Sequence, residues 1–332
     1  MFKVAVFSSK KYDQVFINRF NQNTDLVFEF FESKLSAETV ELAHNFDAIC
    51  IFVNDEANTQ VLHKLTELGI KTIALRCAGF NNVDIECAQS LGMKICRVPE
   101  YSPEAVAEHT VGLMLTLSRK FHKAYNRIRE DNFSLDGLMG FNLNKKTVGI
   151  IGAGHIGLAT LKILKGFGCK LIANDPYPNP EAVNLGVNFV ELEQLFSKSD
   201  IISLHCPLNS ETRHIINEQS LNYMKPNAML INTSRGGLID SHSVVTALKR
   251  KKLGYLGIDV YELESNLFFE DLSGEIIQDD IFARLSTFPN VLITGHQGFF
   301  TEEAISTIAN TTINSLSILL NGKVLEEHFL LY

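Results

Sequence analysis

The feature that most constrains the fold is a glycine run at the end of an apolar strand. Thr147-Val148-Gly149-Ile150-Ile151 reads as a buried strand and passes directly into Gly152-Ala153-Gly154-His155-Ile156-Gly157. A GxGxxG alone is weak, because glycine turns are common. Here a strand precedes it, a helical run over Leu158–Phe167 follows, and a second strand over Lys170–Ala173 leads to Asp175 close to twenty residues on. Gly152 permits the tight turn, Gly154 lets the backbone approach a pyrophosphate, and Gly157 lets the helix pack closely on the strand. The helix N-terminus then presents N–H groups and a positive dipole end to the phosphates. Asp175 is placed to accept both ribose hydroxyls of NAD and to repel the extra phosphate of NADP. The residues after it, Pro176 and Tyr177, carry no charge to offset that repulsion.

The rest of the chain repeats the same alternation of short apolar strands and amphipathic segments, the pattern of an α/β protein with parallel sheets. Strands are expected at Val4–Phe7, Leu26–Phe30, Ala48–Phe52, Thr72–Leu75 and Lys94–Val98, with a helix over Thr59–Leu68. Val98-Pro99-Glu100-Tyr101-Ser102-Pro103 punctuates the chain, and a single long helix over Glu104–Lys123 should follow, with Ser102 as its cap and Pro103 in its first turn. Further strands are expected at Ile201–Leu204, Met229–Ile231, Gly254–Asp259 and Val291–Ile293, and a last helix at Glu302–Leu320. The second half thus holds a complete nucleotide-binding unit and the first hundred residues a smaller α/β unit, consistent with about two domains in 332 residues.

Composition narrows the function classes. A net charge of -8 argues against a nucleic-acid-binding face. The six cysteines, Cys50, Cys77, Cys87, Cys96, Cys169 and Cys206, show neither CxxC nor zinc-ligand spacing. They point to free thiols in a reducing, cytoplasmic setting, with neither disulfides nor a metal. Met1–Phe7 is too short an apolar run for a signal peptide, and no stretch approaches the ~20 apolar residues of a membrane span.

Three polar residues stand beyond the ends of separate strands in the second half. Arg235 lies in Asn232-Thr233-Ser234-Arg235-Gly236-Gly237, Glu264 follows Gly257-Ile258-Asp259-Val260-Tyr261-Glu262, and His296 lies in Thr294-Gly295-His296-Gln297-Gly298. Each taken singly has a plainer explanation: a salt-bridge Arg, a solvated Glu, a loop His. Their shared placement at the ligand-binding edge of a doubly wound sheet favours a site. Arg clamps a carboxylate through two parallel hydrogen bonds. His gives a proton to a carbonyl oxygen as hydride reaches the carbon, and a neighbouring Glu fixes and supports the imidazolium. Together they suit hydride exchange between a nicotinamide and a 2-keto acid.

At this level of detail the chain resembles the D-2-hydroxyacid dehydrogenases over essentially its whole length. The shared segments are Arg76–Asp84, Val98–Glu108, Gly152–Gly157, His205-Cys206-Pro207-Leu208, Asn232–Asp240, Gly257–Glu264 and Gly295-His296-Gln297. The run from Leu267-Phe268-Phe269-Glu270-Asp271 to Asp279-Asp280 is similar to the extended loop of the fermentative subgroup that interconverts pyruvate and D-lactate. The resemblance implies Arg235, Glu264 and His296 as the catalytic three. It implies cofactor contacts at His155, Ile156, Asp175, Cys206, Pro207, Thr233, Ser234 and Asp259. Thr212 occupies a place where relatives often carry Asn. Substrate contacts would come from the backbone of Cys77-Ala78-Gly79 and from Tyr101, with Phe299 on the methyl side. Cys77 is expected as a small wall residue, not a nucleophile.

The resemblance also implies two Rossmann-like domains with doubly wound parallel sheets and an active site in the cleft between them. The substrate domain is expected to be discontinuous and flavodoxin-like (1–100 plus 300–332), and the NAD domain to span 101–299. It further implies a homodimer or homotetramer, joined partly through the helix after Pro103. Two alternatives stay open: a relative taking a bulkier 2-keto acid or glyoxylate, and a non-catalytic NAD-sensing protein such as the corepressors built on this fold.

Overall fold

The computed structural model describes residues 1–264 and 267–332. The chain divides into two compact units, Met1–Ser102 with Phe300–Tyr332, and Pro103–Phe299. Each is built on its own sheet.

The smaller unit carries β1 (Phe2–Val6), β2 (Leu26–Phe30), β3 (Ala48–Ile51), β4 (Thr72–Leu75) and β5 (Lys94–Arg97). They pair in parallel in the order β2-β1-β3-β4-β5. The central strands β3 and β4 are buried along their whole length, as a sheet covered on both faces requires. One face packs on the helix Glu302–Leu320, whose Ala309, Ile313, Leu316 and Leu319 meet Val4, Val6, Cys50 and Ala74. Thr301 caps that helix by accepting the Ala304 N–H.

The larger unit carries β6 (Thr147–Ile151), β7 (Lys170–Asn174), β8 (Asn188–Phe189), β9 (Ile201–Leu204), β10 (Ala228–Asn232), β11 (Leu253–Ile258) and β12 (Val291–Ile293). Their order, β12-β11-β10-β9-β6-β7-β8, is parallel throughout and reverses direction between β6 and β9. That reversal puts the glycine run and the β9 end on either side of the switch point, where doubly wound sheets bind ligands. Two apolar cores cover the faces. One includes Met114 and Leu117 of the helix Pro103–Arg119 and Leu161 and Leu164 of the helix His155–Gly166. The other joins Leu195, Leu221, Val244 and Leu248 with Phe268.

The strand positions expected from alternation hold to within one or two residues, and the α/β class with two parallel sheets holds with them. The long helix does not. It ends at Arg119, Lys120 takes the left-handed conformation (φ +56°), and a second helix runs Phe121–Arg129. A left-handed residue cannot propagate an α-helix, so apolar spacing across 104–123 merged two helices. The expected Ser102 cap lies just outside the larger unit, whose helix begins at Pro103. All six cysteines are free thiols, and five are buried. Among the described residues no helix is long and apolar enough to cross a membrane, and no cluster of metal-ligand side chains is found.

Candidate active site

In the larger unit the glycine run has the geometry the motif requires. Gly152 sits at φ +92°, and a Cβ there would fall 2.5 Å from the Cys206 nitrogen. A Cβ at Gly157 would fall 2.0 Å from the Gly152 carbonyl oxygen, so the helix is held hard against the turn. Gly154 differs: it stands at the N-cap of the helix His155–Gly166, and a Cβ added to it would meet no protein atom within 4 Å. The position is open and lies at a helix N-terminus with no side-chain cap, whose N–H groups suit an anion.

Asp175 follows β7, half-buried. Its Oδ2 accepts the Ala153 N–H at 2.7 Å and its Oδ1 accepts the Tyr177 N–H at 2.8 Å. The carboxylate therefore shapes the glycine turn, and each oxygen keeps a second lone pair for a ribose hydroxyl. Cys206 lies under the turn, its thiol pushed up to about 11 by burial, which makes it a wall and not a nucleophile. His205 beside it pairs with Ser203 Oγ at 2.9 Å, and burial drops its ring to about 4, so it is neutral. Ser234 Oγ donates to the Cys206 carbonyl at 2.8 Å, tying the β9 and β10 ends together. Thr233 Oγ1 lies 2.8 Å from Thr110 Oγ1 on the helix Pro103–Arg119. Thr212 Oγ1 donates to the Pro207 carbonyl at 2.6 Å, so this hydroxyl closes its own loop. These residues fit a dinucleotide: phosphates at the helix N-terminus, ribose at Asp175, and walls from the 205–207 and 233–234 segments.

Arg235, Glu264 and His296 lie beyond the ends of β10, β11 and β12, which are neighbours in the sheet. Two strand spacings separate β10 from β12, about 10 Å. Asn232 holds the Arg235 turn by donating from Nδ2 to the Arg235 carbonyl at 2.8 Å and accepting the Ser234 N–H at 3.0 Å. Arg235 Nη1 donates to the Ser234 carbonyl at 2.7 Å.

His296 Nδ1 and Glu264 Oε1 lie 2.8 Å apart, with both side chains about one-fifth exposed. The other Glu264 oxygen accepts the Tyr261 N–H at 2.8 Å, which fixes the carboxylate before it meets the ring. His296 itself is left-handed (φ +52°), a conformation uncommon for a non-glycine residue and held here by its loop. The hub of that loop is Asp259, almost fully buried. Its Oδ1 accepts from Thr294 Oγ1 and from the Gln297 N–H, its Oδ2 accepts the Gly298 N–H at 2.8 Å, and its backbone carbonyl accepts the His296 N–H at 2.7 Å. His109 Nε2 stands 3.3 Å from Oδ1. Burial opposes the charge on Asp259, but the hydrogen bonds from His109 and Thr294 hold its carboxyl below the usual range. Phe269 leans on the His296 ring, with centroids 5.6 Å apart. Phe268 is buried in the core and Tyr261 Oη donates to Asp279, so the extended loop is anchored at both of these points.

In the smaller unit Cys77-Ala78-Gly79 follows β4, and its three carbonyls each accept a hydrogen bond. Cys77 takes the Val98 N–H at 3.2 Å, Ala78 takes Arg97 Nη1 at 3.0 Å, and Gly79 takes the Cys77 thiol at 3.2 Å. Among the described residues the N–H groups of Ala78 and Gly79 have no acceptor. Tyr101 is half-buried near the end of this unit's first segment, and Phe299 is buried at the end of the larger unit.

Reasoning from the sequence did not reach His109, Thr294 or Asn232, which position functional loops from the inside. His109 directly follows the shared segment ending at Glu108, but on a long helix nothing distinguishes it from a solvent-facing histidine. Arg97 was visible only as a residue of the expected strand Lys94–Val98.

Comparison with known proteins agrees with this geometry. The family described as D-isomer specific 2-hydroxyacid dehydrogenase, NAD binding domain, matches residues 111–298. A D-lactate dehydrogenase of Escherichia coli is 53% identical over 97% of this chain and 98% of its own. A 2-hydroxyacid dehydrogenase homolog of Haemophilus influenzae is likewise 53% identical, over 98% of both. The apo structure of the E. coli D-lactate dehydrogenase superposes with a TM-score of 0.90, covering 99% of this chain and 100% of that one at 50% identity. An NAD-complexed D-isomer specific 2-hydroxyacid dehydrogenase from Lactobacillus delbrueckii superposes at 0.81, with 29% identity over 99% of this chain and 100% of its own. On these matches the chain belongs to the D-isomer specific 2-hydroxyacid dehydrogenase family and is an NAD-dependent oxidoreductase.

Proposed function

We propose that this enzyme interconverts pyruvate and D-lactate, with Arg235 as carboxylate clamp, His296 as acid–base and Glu264 as its support. The observation that carries the proposal is the 2.8 Å pair between His296 Nδ1 and Glu264 Oε1. Fixing Nδ1 on a carboxylate leaves Nε2 as the nitrogen that exchanges a proton with substrate. NADH, when bound, supplies the hydride. Arg235 holds the keto acid by its carboxylate, so the carbonyl carbon is presented in one orientation. His296 donates its Nε2 proton to the carbonyl oxygen as the C–H bond forms, and the imidazole left behind is reprotonated from solvent. The sum is pyruvate, NADH and one proton going to D-lactate and NAD.

The N–H groups of Ala78 and Gly79 are donors suited to a carboxylate, and Tyr101 and Phe299 complete the proposed substrate contacts. The names of the relatives favour lactate over a bulkier acid. A hydrophobic pocket separates substrates differing by one methylene by only ~1–3 kcal/mol, so kinetics must rank them. We also propose a homo-oligomer, dimer or tetramer. The helix Phe121–Arg129 has no buried residue, and Tyr125, Ile128, Phe133, Leu135 and Met139 are exposed on it and on the segment after it.

The test is steady-state loss of NADH absorbance across a panel of 2-keto acids, with the product's hand assigned enzymatically. Pyruvate should have the highest kcat/KM and give D-lactate. A higher value for a branched keto acid overturns the substrate, and NADH binding without turnover of any of them overturns the enzyme.

A further inference from the structure

We propose that Arg97 is a positioning residue for substrate: from the carbonyl edge of a peptide unit it orients and polarises the donor that binds the keto acid's carboxylate. This rests on the substrate role proposed for Cys77-Ala78-Gly79.

Arg97 ends β5, the strand next to β4, and its Nη1 donates to the Ala78 carbonyl at 3.0 Å. That carbonyl shares a peptide unit with the Gly79 N–H. Among the described residues no peptide bond is cis, so the two groups lie in one plane and point in opposite directions. A hydrogen bond fixing the oxygen therefore fixes the direction of the N–H. The same relation links the Cys77 carbonyl, held by the Val98 N–H at 3.2 Å, to the Ala78 N–H. Two successive amides are thus pinned by their oxygens to one neighbouring strand end, while their N–H groups have no acceptor among the described residues.

The Ala78 contact is the stronger of the two because its donor is charged. A cation on the oxygen draws electron density through the amide and makes the N–H a better donor, as hydrogen-bonded chains do cooperatively. The guanidinium is half-buried, lies 5.3 Å from the Phe80 ring centroid, and leaves its Nε buried without a hydrogen-bond partner. Stability alone is poorly served by such an arrangement. It does place a fixed positive charge one peptide away from the carboxylate-binding face.

Substrate and transition state carry the same carboxylate, so loss of this contact weakens both equally and appears in KM. Arg97→Met keeps the packing stem and removes the donor. It should raise KM for pyruvate about tenfold, with kcat within about threefold and the NADH Kd unchanged. Arg97→Lys, which restores a charged donor, should bring KM back to within about threefold of the parent. Binding of oxamate, a non-reacting keto-acid isostere, to the parent–NADH complex should weaken in step with KM. An unchanged pyruvate KM in folded Arg97→Met overturns the proposal. So does a fall in kcat and melting temperature with KM constant, which marks a structural role only. If Arg97→Met does not accumulate folded, Arg97→Gln takes its place, and the same two outcomes overturn the proposal. A parent enzyme that binds oxamate yet turns over no keto acid refutes the proposed function instead, and oxamate affinity in the variants still decides the role of Arg97.

Discussion

Asp259→Asn isolates the contribution of one buried carboxylate to the placement of the acid–base. In the folded enzyme that carboxylate accepts from Thr294 Oγ1, from the Gln297 N–H at 2.9 Å and from the Gly298 N–H at 2.8 Å, with His109 3.3 Å from Oδ1. Asparagine has nearly the same shape but only one acceptor oxygen. In either amide orientation its NH2 group faces a backbone N–H that the carboxylate used to satisfy. The loss is one charge-assisted bond, about 1.5–3 kcal/mol, plus a buried donor left unpaired, about 1–3 kcal/mol. Both fall on the five residues 294–298 that carry His296. If half of the resulting ~4 kcal/mol reaches the transition state, kcat falls about 30-fold. The melting temperature should fall by about 5–15 °C, as a unit of this size implies. Stopped-flow reduction of pyruvate and NADH fluorescence titration separate two roles. Loop support predicts a low kcat with NADH Kd within about threefold of the parent, whereas direct cofactor contact predicts both to change. A kcat within threefold of the parent would refute the reasoning outright.

Arg235→Lys retains charge but loses the fork, and kcat/KM for pyruvate should drop about 100-fold, the value of a second charge-assisted bond; near-parental turnover removes Arg235 from the site. Asp175→Asn keeps an acceptor for the Ala153 N–H and deletes the charge. With a half-buried carboxylate about 4 Å from a 2′-phosphate, about 2 kcal/mol of repulsion disappears, and the NADPH-to-NADH efficiency ratio should rise about 30-fold; an unchanged ratio contradicts the assignment. His205 has its ring held down at about 4 by burial, against an ordinary 6.5. Below 6.5 the unfolded chain takes a proton that the folded chain refuses, so stability falls as pH drops from 6.5 toward 4 and the effect levels off below that. The ceiling is about 3 kcal/mol, lowered because the ring is partly exposed. Urea midpoints at pH 7 and pH 4.5 should differ less in His205→Gln than in the parent, and equal differences would show that this ring does not set the slope.

How much of this was legible beforehand depends on the range of the interaction. Strands such as Thr147–Ile151 and Ile201–Leu204 are local: a buried parallel strand is a continuous apolar run bounded by turns, and the run is visible in the sequence. The glycine turn is also local, and its ligand residue follows one helix later. The break at Lys120 was not legible, because apolar spacing continues through it and only a backbone angle changes. The pairing of His296 with Glu264 could be inferred from chemistry and adjacent strand ends. The convergence of His109, Thr294 and Asp259 could not, since it joins residues 185 and 35 positions apart with no shared motif.

The acidic residues make the same point about function. Asp175 was assigned to the cofactor from its spacing after the glycine run, and Asp259 because the resemblance implied it. Each accepts backbone N–H groups from a neighbouring loop, Ala153 of the glycine turn in one case and Gln297 with Gly298 in the other. Asp55 repeats the device in the smaller unit, accepting the N–H groups of Leu35 and Phe52. A strand-end carboxylate can satisfy several amide donors that no ladder reaches, and so can hold an irregular loop in a conformation its own sequence does not favour. Binding and loop-shaping therefore place the same residue type at the same position. Sequence alone cannot separate them, because both need a small anion where the sheet ends. What separates them is the number of lone pairs already used: Asp175 retains acceptor capacity toward solvent, whereas Asp259 is almost fully buried with its oxygens already engaged. Asp175 should accordingly decide which cofactor is accepted, and Asp259 how well the imidazole is aimed.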